Sequence, residues 1–101
     1  MNKLSLAGLT LVFGASTVLA AAAYPGHQLA SKAKVTIAAA HTIALKAVPG
    51  KIVAEELENE KGASGLRYSF DIRLSGKTHE VGVDAITGKV LENAIEGSNP
   101  D

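Results

Sequence analysis

The sequence predicts an α+β fold: one N-terminal helix packed on a small antiparallel sheet of three or four strands, preceded by a signal peptide. Two patterns support this prediction. Residues 36–48 place apolar side chains at the three-and-four spacing of a helix, and residues 66–74 and 78–84 alternate apolar with polar side chains as strands do. The chain has 101 residues and no cysteine, so packing or a partner must hold one small domain together without disulfide bonds.

The first 23 residues have the layout of a secretory signal peptide. A short positive start is followed by an uncharged apolar run, residues 4–19, and then by small residues. The apolar run is shorter than the roughly 20 residues of a spanning helix, so we expect cleavage and no stable membrane anchor afterwards. The small-residue rule allows a cut after Ala20 or after Ala23, and the sequence leaves both open. We expect a periplasmic or secreted protein.

Three further segments are expected after the cleavage site. Residues 24–34 mix Pro, Gly and Ser without a period, which is typical of a leader or linker. The ordered domain should cover residues 35–93, and residues 94–101 should form a flexible C-terminal tail. The formal net charge is zero and the chain has no basic cluster, which argues against nucleic acid or an anionic membrane as a partner.

The helix is predicted between Thr36 and Val48. Thr36 is a natural N-cap, because its hydroxyl can accept a hydrogen bond from a free amide of the first turn. Pro49 disfavours helical geometry at the preceding residue, and we expect Gly50 to supply a left-handed exit. The apolar face is rich in alanine, so the helix can lie close to a sheet that supplies the large core side chains. This face consists of Ile37, Ala40, Ala44 and either Ala47 or Val48.

A β-hairpin is predicted from residue 66 to residue 84. Ser75 and Gly76 form its two-residue turn. With this turn, the numbers of paired residues sum to 151, which sets Phe70 against Val81, apolar against apolar. A slip of one residue would expose the apolar side chains of one strand, so the pattern rejects it.

The strand before the hairpin, residues 51–60, has a weaker pattern. Val53 and Leu57 share a face, but Glu55 falls between them. Either Glu55 points inward or a β-bulge shifts the alternation, and both devices protect an exposed edge from unwanted pairing. We therefore place this strand at or near an edge of the sheet.

The stretch VDAITGKVL, residues 83–91, is predicted to be a corner between strands. Asp84 can bond the amides that follow it, as in an Asx turn, and Gly88 tolerates a positive φ. The chain then resumes a strand at Lys89. The sequence does not decide whether this last strand is central or at an edge.

Four segments of the chain resemble a known family. They are HTIALKAVPGKI, EELENE, RYSFDI and the closing EVGVDAITGKVLE. Together they are similar to the PepSY domain, which occurs in propeptides of thermolysin-type metallopeptidases and in many small exported or membrane-attached bacterial proteins. The resemblance covers about residues 35–93 and implies a helix on a small antiparallel sheet, with a role in restraining peptidases or in protein contacts at the cell envelope. The sequence departs from the family pattern at Ala38, Ala39 and Glu55.

The residue patterns favour neither catalysis nor metal binding. His27, His41 and His79 lack the short spacing of metal ligands, although His79 should face the core opposite Ile72, near the open end of the hairpin. Ser64 stands in a Gly-Ala-Ser-Gly loop that precedes a strand, unlike a nucleophile motif. The acidic set lacks the loop pattern of a calcium site and is expected to be a solvated edge. It consists of Glu55, Glu56, Glu58 and Glu60.

We therefore expect no enzyme, no catalytic residue, no cofactor and no metal. The expected function is that of an exported protein-interaction module that modulates or inhibits a peptidase. The alternative is a small-ligand or metal carrier that uses the gap between helix and sheet near His41 and His79. Because the core is small, pairing into a homodimer would add stability. The candidate partner-binding face consists of Arg67, Ser69, Asp71, Arg73 and Glu80.

Overall fold

In residues 24–96, four antiparallel strands form one sheet, and one α-helix crosses one of its faces. The computed structural model describes residues 24–96, so the expected signal peptide and residues 97–101 lie outside the described part of the chain. The strand order is β1-β2-β3-β4, which confirms the predicted α+β class. The elements are a 3-10 helix, His27–Lys32, then α1, Ile37–Ala47, β1, Lys51–Asn59, β2, Leu66–Leu74, β3, Lys77–Asp84, and β4, Val90–Ile95.

Helix α1 begins as its sequence predicts. The Thr36 hydroxyl accepts a hydrogen bond from the amide of Ala39 at 3.1 Å. Ala40 and Ala44 are fully buried, so the alanine face brings the helix close to the large side chains of β2 and β3. Within residues 24–96, no helix is long and apolar enough to cross a membrane.

The end of α1 corrects one prediction. Val48, and not Ala47, completes the buried face, and Val48 leaves the helix in an extended conformation. The expected left-handed exit at Gly50 is wrong, because Gly50 has no positive φ. Glycine is needed there for another reason: a Cβ atom would overlap the carbonyl oxygen of Arg73 on β2.

The hairpin of β2 and β3 has the predicted register. Phe70 pairs with Val81, and both are fully buried under α1. Ser75 and Gly76 both have positive φ, 54° and 76°, which is the type I′ geometry that matches the twist of a hairpin. The core on the helix side of the sheet is therefore built mainly by this hairpin. Its largest buried apolar side chains are Tyr68, Phe70, Ile72, Val81 and Val83.

Strand β1 lies at an edge of the sheet, as its charge pattern indicates. The register shifts between Ile52 and Ala54, so Val53 is the extra residue of a β-bulge. After the bulge, Glu55 lies opposite Phe70 on the helix side of the sheet. The bulge and the inward glutamate, which the sequence offered as alternatives, occur together.

The residues before α1 differ from the expected linker. Tyr24 is 6% exposed and belongs to the hydrophobic core. The carbonyl oxygen of Pro25 accepts a hydrogen bond from the amide of Leu57 on β1 at 3.0 Å. Gly26 lies so close to β1 that a Cβ atom would overlap the carbonyl of Leu57. This segment therefore packs against the β1 edge of the sheet.

The corner after β3 has the predicted turn chemistry. One carboxylate oxygen of Asp84 accepts hydrogen bonds from the amides of Ile86 and Thr87, at 2.8 and 2.9 Å. The other accepts one from the amide of Ser64 at 3.0 Å. Gly88 adopts a φ of 81°, and the chain then enters β4 at the second edge of the sheet. Strand β4 includes residues 94 and 95, which the sequence assigned to the tail.

Candidate partner-binding face and helix-side pocket

The side of the sheet away from α1, which we call the outer face, carries all five residues that the sequence proposed for partner binding. Four of them occupy alternate positions of β2, and Glu80 of β3 pairs with Asp71. Their exposure differs widely: Arg73 is exposed, Ser69 is buried, and the other three are half-buried. The set consists of Arg67, Ser69, Asp71, Arg73 and Glu80.

Arg67 lies within the outer face and does not project from it. Its side chain is 16% exposed and forms ion pairs with Glu60 at 3.3 Å and with Glu92 at 3.4 Å. It passes over Gly82, where a Cβ atom would come within 3.0 Å of its guanidinium. Its buried Nε atom has no hydrogen-bond partner. Arg67 therefore connects β2, β4 and the loop after β1, and contributes little free positive charge to the surface.

Ser69 and Arg73 of β2 also have internal partners. The Ser69 hydroxyl donates a hydrogen bond to Glu58 at 3.0 Å, which links β2 to β1. Arg73 donates to the hydroxyl of Thr78 at 2.8 Å. Because Arg73 is exposed, it is the member of the predicted set whose positive charge is most accessible to a partner.

Three carboxylates meet at the β4 side of the outer face. Asp71, Glu80 and Glu96 each place an oxygen within 4.8 Å of the others. The pKa of Glu80 is raised by burial first, and then by the negative charges of Glu92, Asp71 and Glu96, while Arg67 opposes this rise. This crowding means that the outer face holds negative charge at an energetic cost to the fold.

Replacement of Glu80 by glutamine should relieve part of that repulsion. Because the pKa of Glu80 is raised in the folded state, its charge destabilises the fold above that pKa, and the effect vanishes below the unfolded value of about 4.3. We expect the Glu80→Gln variant to be more stable than the wild type by about 0.5 kcal/mol at pH 7, with no difference at pH 4. Urea titration at both pH values measures this, and a less stable variant at pH 7 would contradict it.

The neutral net charge of the chain hides an uneven distribution of acidic side chains over the two faces of the sheet. Within residues 24–96, the acidic side chains lie on the outer face or its bounding loop, apart from Glu55 on the helix side and Asp84 in the corner. The face and loop hold seven acidic side chains against four basic ones, Lys51, Lys61, Arg67 and Arg73, so this side of the sheet is predominantly acidic. The acidic residues of the face and loop are Glu56, Glu58, Glu60, Asp71, Glu80, Glu92 and Glu96.

The histidines do not come together into a metal site. His79 lies opposite Ile72, as predicted, but near the turn of the hairpin and not near its open end. In the described part of the chain, the one cluster with metal-ligand spacing is the three-carboxylate group, and it contains no histidine. Exposed carboxylates often crowd without an ion, so this group alone does not indicate a metal.

His41 instead pairs with Glu55 beside a pocket. The His41 Nε2 and Glu55 Oε1 atoms are 2.5 Å apart, and the imidazole packs edge-on against the ring of Phe70. The pocket has a volume of about 350 Å³ and lies between α1 and the bulged part of β1. We call it the helix-side pocket. Its lining residues are His41, Leu45, Ile52, Val53, Ala54 and Glu55.

Comparison with protein families matches residues 34–93 to PepSY, described as the peptidase propeptide and YPEB domain. This match covers more than half of the chain, including α1 and the corner after β3. The chain belongs to the PepSY family. No curated protein and no solved structure matches it. PepSY domains resemble peptidase propeptides, are generally non-catalytic and are typically extracellular or periplasmic.

The two edges of this PepSY sheet differ in accessibility. At β1, the bulge and the hydrogen bond from Leu57 to Pro25 interrupt the edge. No strand within residues 24–96 pairs with the side of β4 that faces away from β3, and Val90 and Ile95 are 38% and 42% exposed. The β4 edge is therefore the better place for a partner strand to add to the sheet.

Sequence reasoning missed several residues of the outer face. It ended the domain at residue 93, which left out Glu96, and it assigned no role to Glu92. The register shifts between Gly82 and Val83, and this shift sets which β4 side chains reach the outer face. One signal in the sequence indicates these residues: Glu92, Ala94 and Glu96 alternate in step with a strand.

Proposed function

We propose that this protein is an exported, non-catalytic interaction module that modulates a peptidase in the cell envelope. The observation that carries the proposal is the PepSY match over residues 34–93, in a family described as a peptidase propeptide. The apolar N-terminal stretch supports export. We propose periplasmic or secreted localisation on the same grounds.

The outer face is the proposed docking surface. It combines the five sequence-proposed residues with an acidic surround and ends at the accessible β4 edge. A partner segment that carries positive charge would be attracted to this face, and an extended segment could add to β4 by main-chain hydrogen bonds. The crowded Asp71, Glu80 and Glu96 carboxylates would then be neutralised on binding. We therefore propose a peptidase surface that is basic where it meets this domain.

A non-catalytic role is also supported by the loop that contains Ser64. Its hydroxyl donates to the carbonyl of Leu66, and its amide donates to Asp84. The serine and the aspartate thus hold two loops together, and neither is arranged to activate a nucleophile.

The test is a binding experiment with the full-length chain, produced in its native host and purified as the host processes it. We expect the wild type to capture a peptidase or its precursor from the envelope fraction, and the purified pair to cleave a peptide substrate more slowly than the peptidase alone. Because the proposed contact is electrostatic, binding should weaken as the salt concentration rises.

Two double variants, matched in their change of net charge, test whether the outer face is the binding site. Asp71→Asn with Glu80→Gln removes two negative charges from the outer face and should weaken capture about tenfold or more. Thr42→Lys with Ala47→Lys makes the same change in net charge on exposed positions of α1 and should leave capture unchanged. The proposal fails if the wild type captures no peptidase, or if captured peptidase retains full activity. Equal loss in both variants would remove the outer face as the site.

The homodimer that the sequence suggests can be tested with the same protein. Two copies would meet at their β4 edges, because that edge is unpaired in the described chain. However, Glu92 and Glu96 would then come close to their counterparts, which disfavours the pairing. We expect a monomer at micromolar concentration in analytical ultracentrifugation, and a dimer that survives 0.5 M salt would contradict this.

A further inference from the structure

The helix-side pocket has the size and chemistry of a small ligand site. Its volume of about 350 Å³ lies at the lower end of the range of about 300 to 1,000 Å³ that is usual for such sites. Leu45, Ile52 and Val53 supply apolar walls, and the His41–Glu55 pair forms a polar end. An apolar pocket with one charged group at its end selects a ligand that has an apolar body and a terminal group of the opposite charge.

Glu55 is the charged group at that end. His41 bonds its Oε1 atom, whereas Oε2 has no hydrogen-bond partner among residues 24–96. No lysine or arginine of the described chain forms an ion pair with it. The side chains of His41 and Glu55 are 34% and 22% exposed, so a ligand can reach them from solvent.

The negative charge of Glu55 also acts on its other neighbour. Burial raises the pKa of the Tyr24 phenol, and the charge of Glu55 raises it further. Glu55 thus places a carboxylate with an open Oε2 atom at the end of an apolar pocket. A cation with an aliphatic body would complement both features.

We propose that the helix-side pocket binds a straight alkyl chain that ends in a primary ammonium group. The alkyl chain lies against Leu45, Ile52 and Val53, and the ammonium group donates a hydrogen bond to Oε2 of Glu55. Free alkylamines and lysine side chains share this chemistry. The site lies on the opposite side of the sheet from the outer face, so it is independent of the proposed peptidase contact.

The test is a titration of the full-length, ¹⁵N-labelled protein at pH 8, where a primary amine is protonated. The probes are n-hexylamine and 1-hexanol, which differ in the terminal group. We expect amide shifts at residues 45 and 52–55, and about tenfold tighter binding of the amine than of the alcohol, because a hydrogen bond to a charged group is the stronger one. Blocked lysine, Nα-acetyl-lysine N-methylamide, then distinguishes a peptide source from a free amine.

Two variants complete the test. Glu55→Gln should abolish the preference for the amine while both probes still bind to the apolar walls. Glu56→Gln removes the same charge from the adjacent, outer-face position and should retain the preference. The proposal is overturned if the wild type binds amine and alcohol equally, if the shifts lie outside the pocket, or if Glu55→Gln keeps the tenfold preference.

Discussion

Substitution of Asp84 by asparagine should destabilise the protein by about 3 kcal/mol at pH 7. The carboxylate is 1% exposed and accepts three hydrogen bonds, from the amides of Ser64, Ile86 and Thr87. In asparagine, one of the two oxygens becomes an NH₂ group that faces a backbone N–H, so at least one buried donor is left without an acceptor. The loss of a charged acceptor adds to this cost.

The same contacts make the effect depend on pH. Burial alone would raise the pKa of Asp84, but the backbone hydrogen bonds from Thr87, Ser64 and Ile86 outweigh burial and hold that pKa well below its usual range. A depressed folded-state pKa contributes stability that is fully present above the unfolded value of about 3.9 and is lost as the pH falls through the folded value. The difference between wild type and Asp84→Asn should therefore be largest above about pH 5 and should shrink below pH 4.

Asp71→Asn is the matched control for Asp84→Asn. It makes the same chemical change at a half-buried carboxylate that is crowded by Glu80 and Glu96 and accepts no backbone hydrogen bond in the described chain. We expect its stability to stay within about 0.5 kcal/mol of the wild type in urea titrations. Equal losses from the two substitutions would show that the corner does not depend on the Asp84 carboxylate.

The hairpin and the corner could be predicted because their determinants are local. Strict alternation in residues 66–74 fixes which side chains face the core, and Ser75-Gly76 fixes the register of β3. Asp84 bonds amides two and three residues ahead of it, so the turn can be inferred from its own sequence. Glu55 indicated an edge for the same reason, since an inward charge is a local departure from alternation.

The parts that sequence reasoning missed depend on contacts between distant residues. The five outer-face residues could be assigned to one face, but the pairing of Arg67 with Glu60 and Glu92 required the path of a loop and the irregular register of β4. Similarly, Gly50 indicated an exit from the helix, yet the approach of the Arg73 carbonyl determines its role. The periodicity of the sequence carries no information on contacts between distant residues, because these contacts form only when the helices, strands and loops pack together.

Substitution of Tyr24 should cause the second large loss of stability. This loss tests whether residues 24–34 pack against the sheet or form a linker. The expected result is a loss of about 3 kcal/mol for Tyr24→Ala, the lower end of the range for a buried aromatic residue, since Tyr24 lies at the margin of the core. The Tyr68 hydroxyl donates a hydrogen bond to the carbonyl of Val35 at 2.6 Å, and burial, together with the neighbouring Tyr24, raises the pKa of Tyr68 to about 12. Tyr24→Phe keeps the buried ring, removes only the Tyr24 hydroxyl and should cost about 1 kcal/mol or less.

Urea titration of the full-length protein measures both variants, with Gln28→Ala as the control at an exposed position of the same segment. A domain of this size has only about 3 to 5 kcal/mol of stability, so Tyr24→Ala should be largely unfolded at 37 °C while Tyr24→Phe remains measurable. If residues 24–34 were a linker, all three variants would lie within about 0.5 kcal/mol of the wild type. The packing of Tyr24 and the Pro25–Leu57 hydrogen bond instead predict three different stabilities. Tyr24→Ala should be the least stable variant, followed by Tyr24→Phe and then Gln28→Ala.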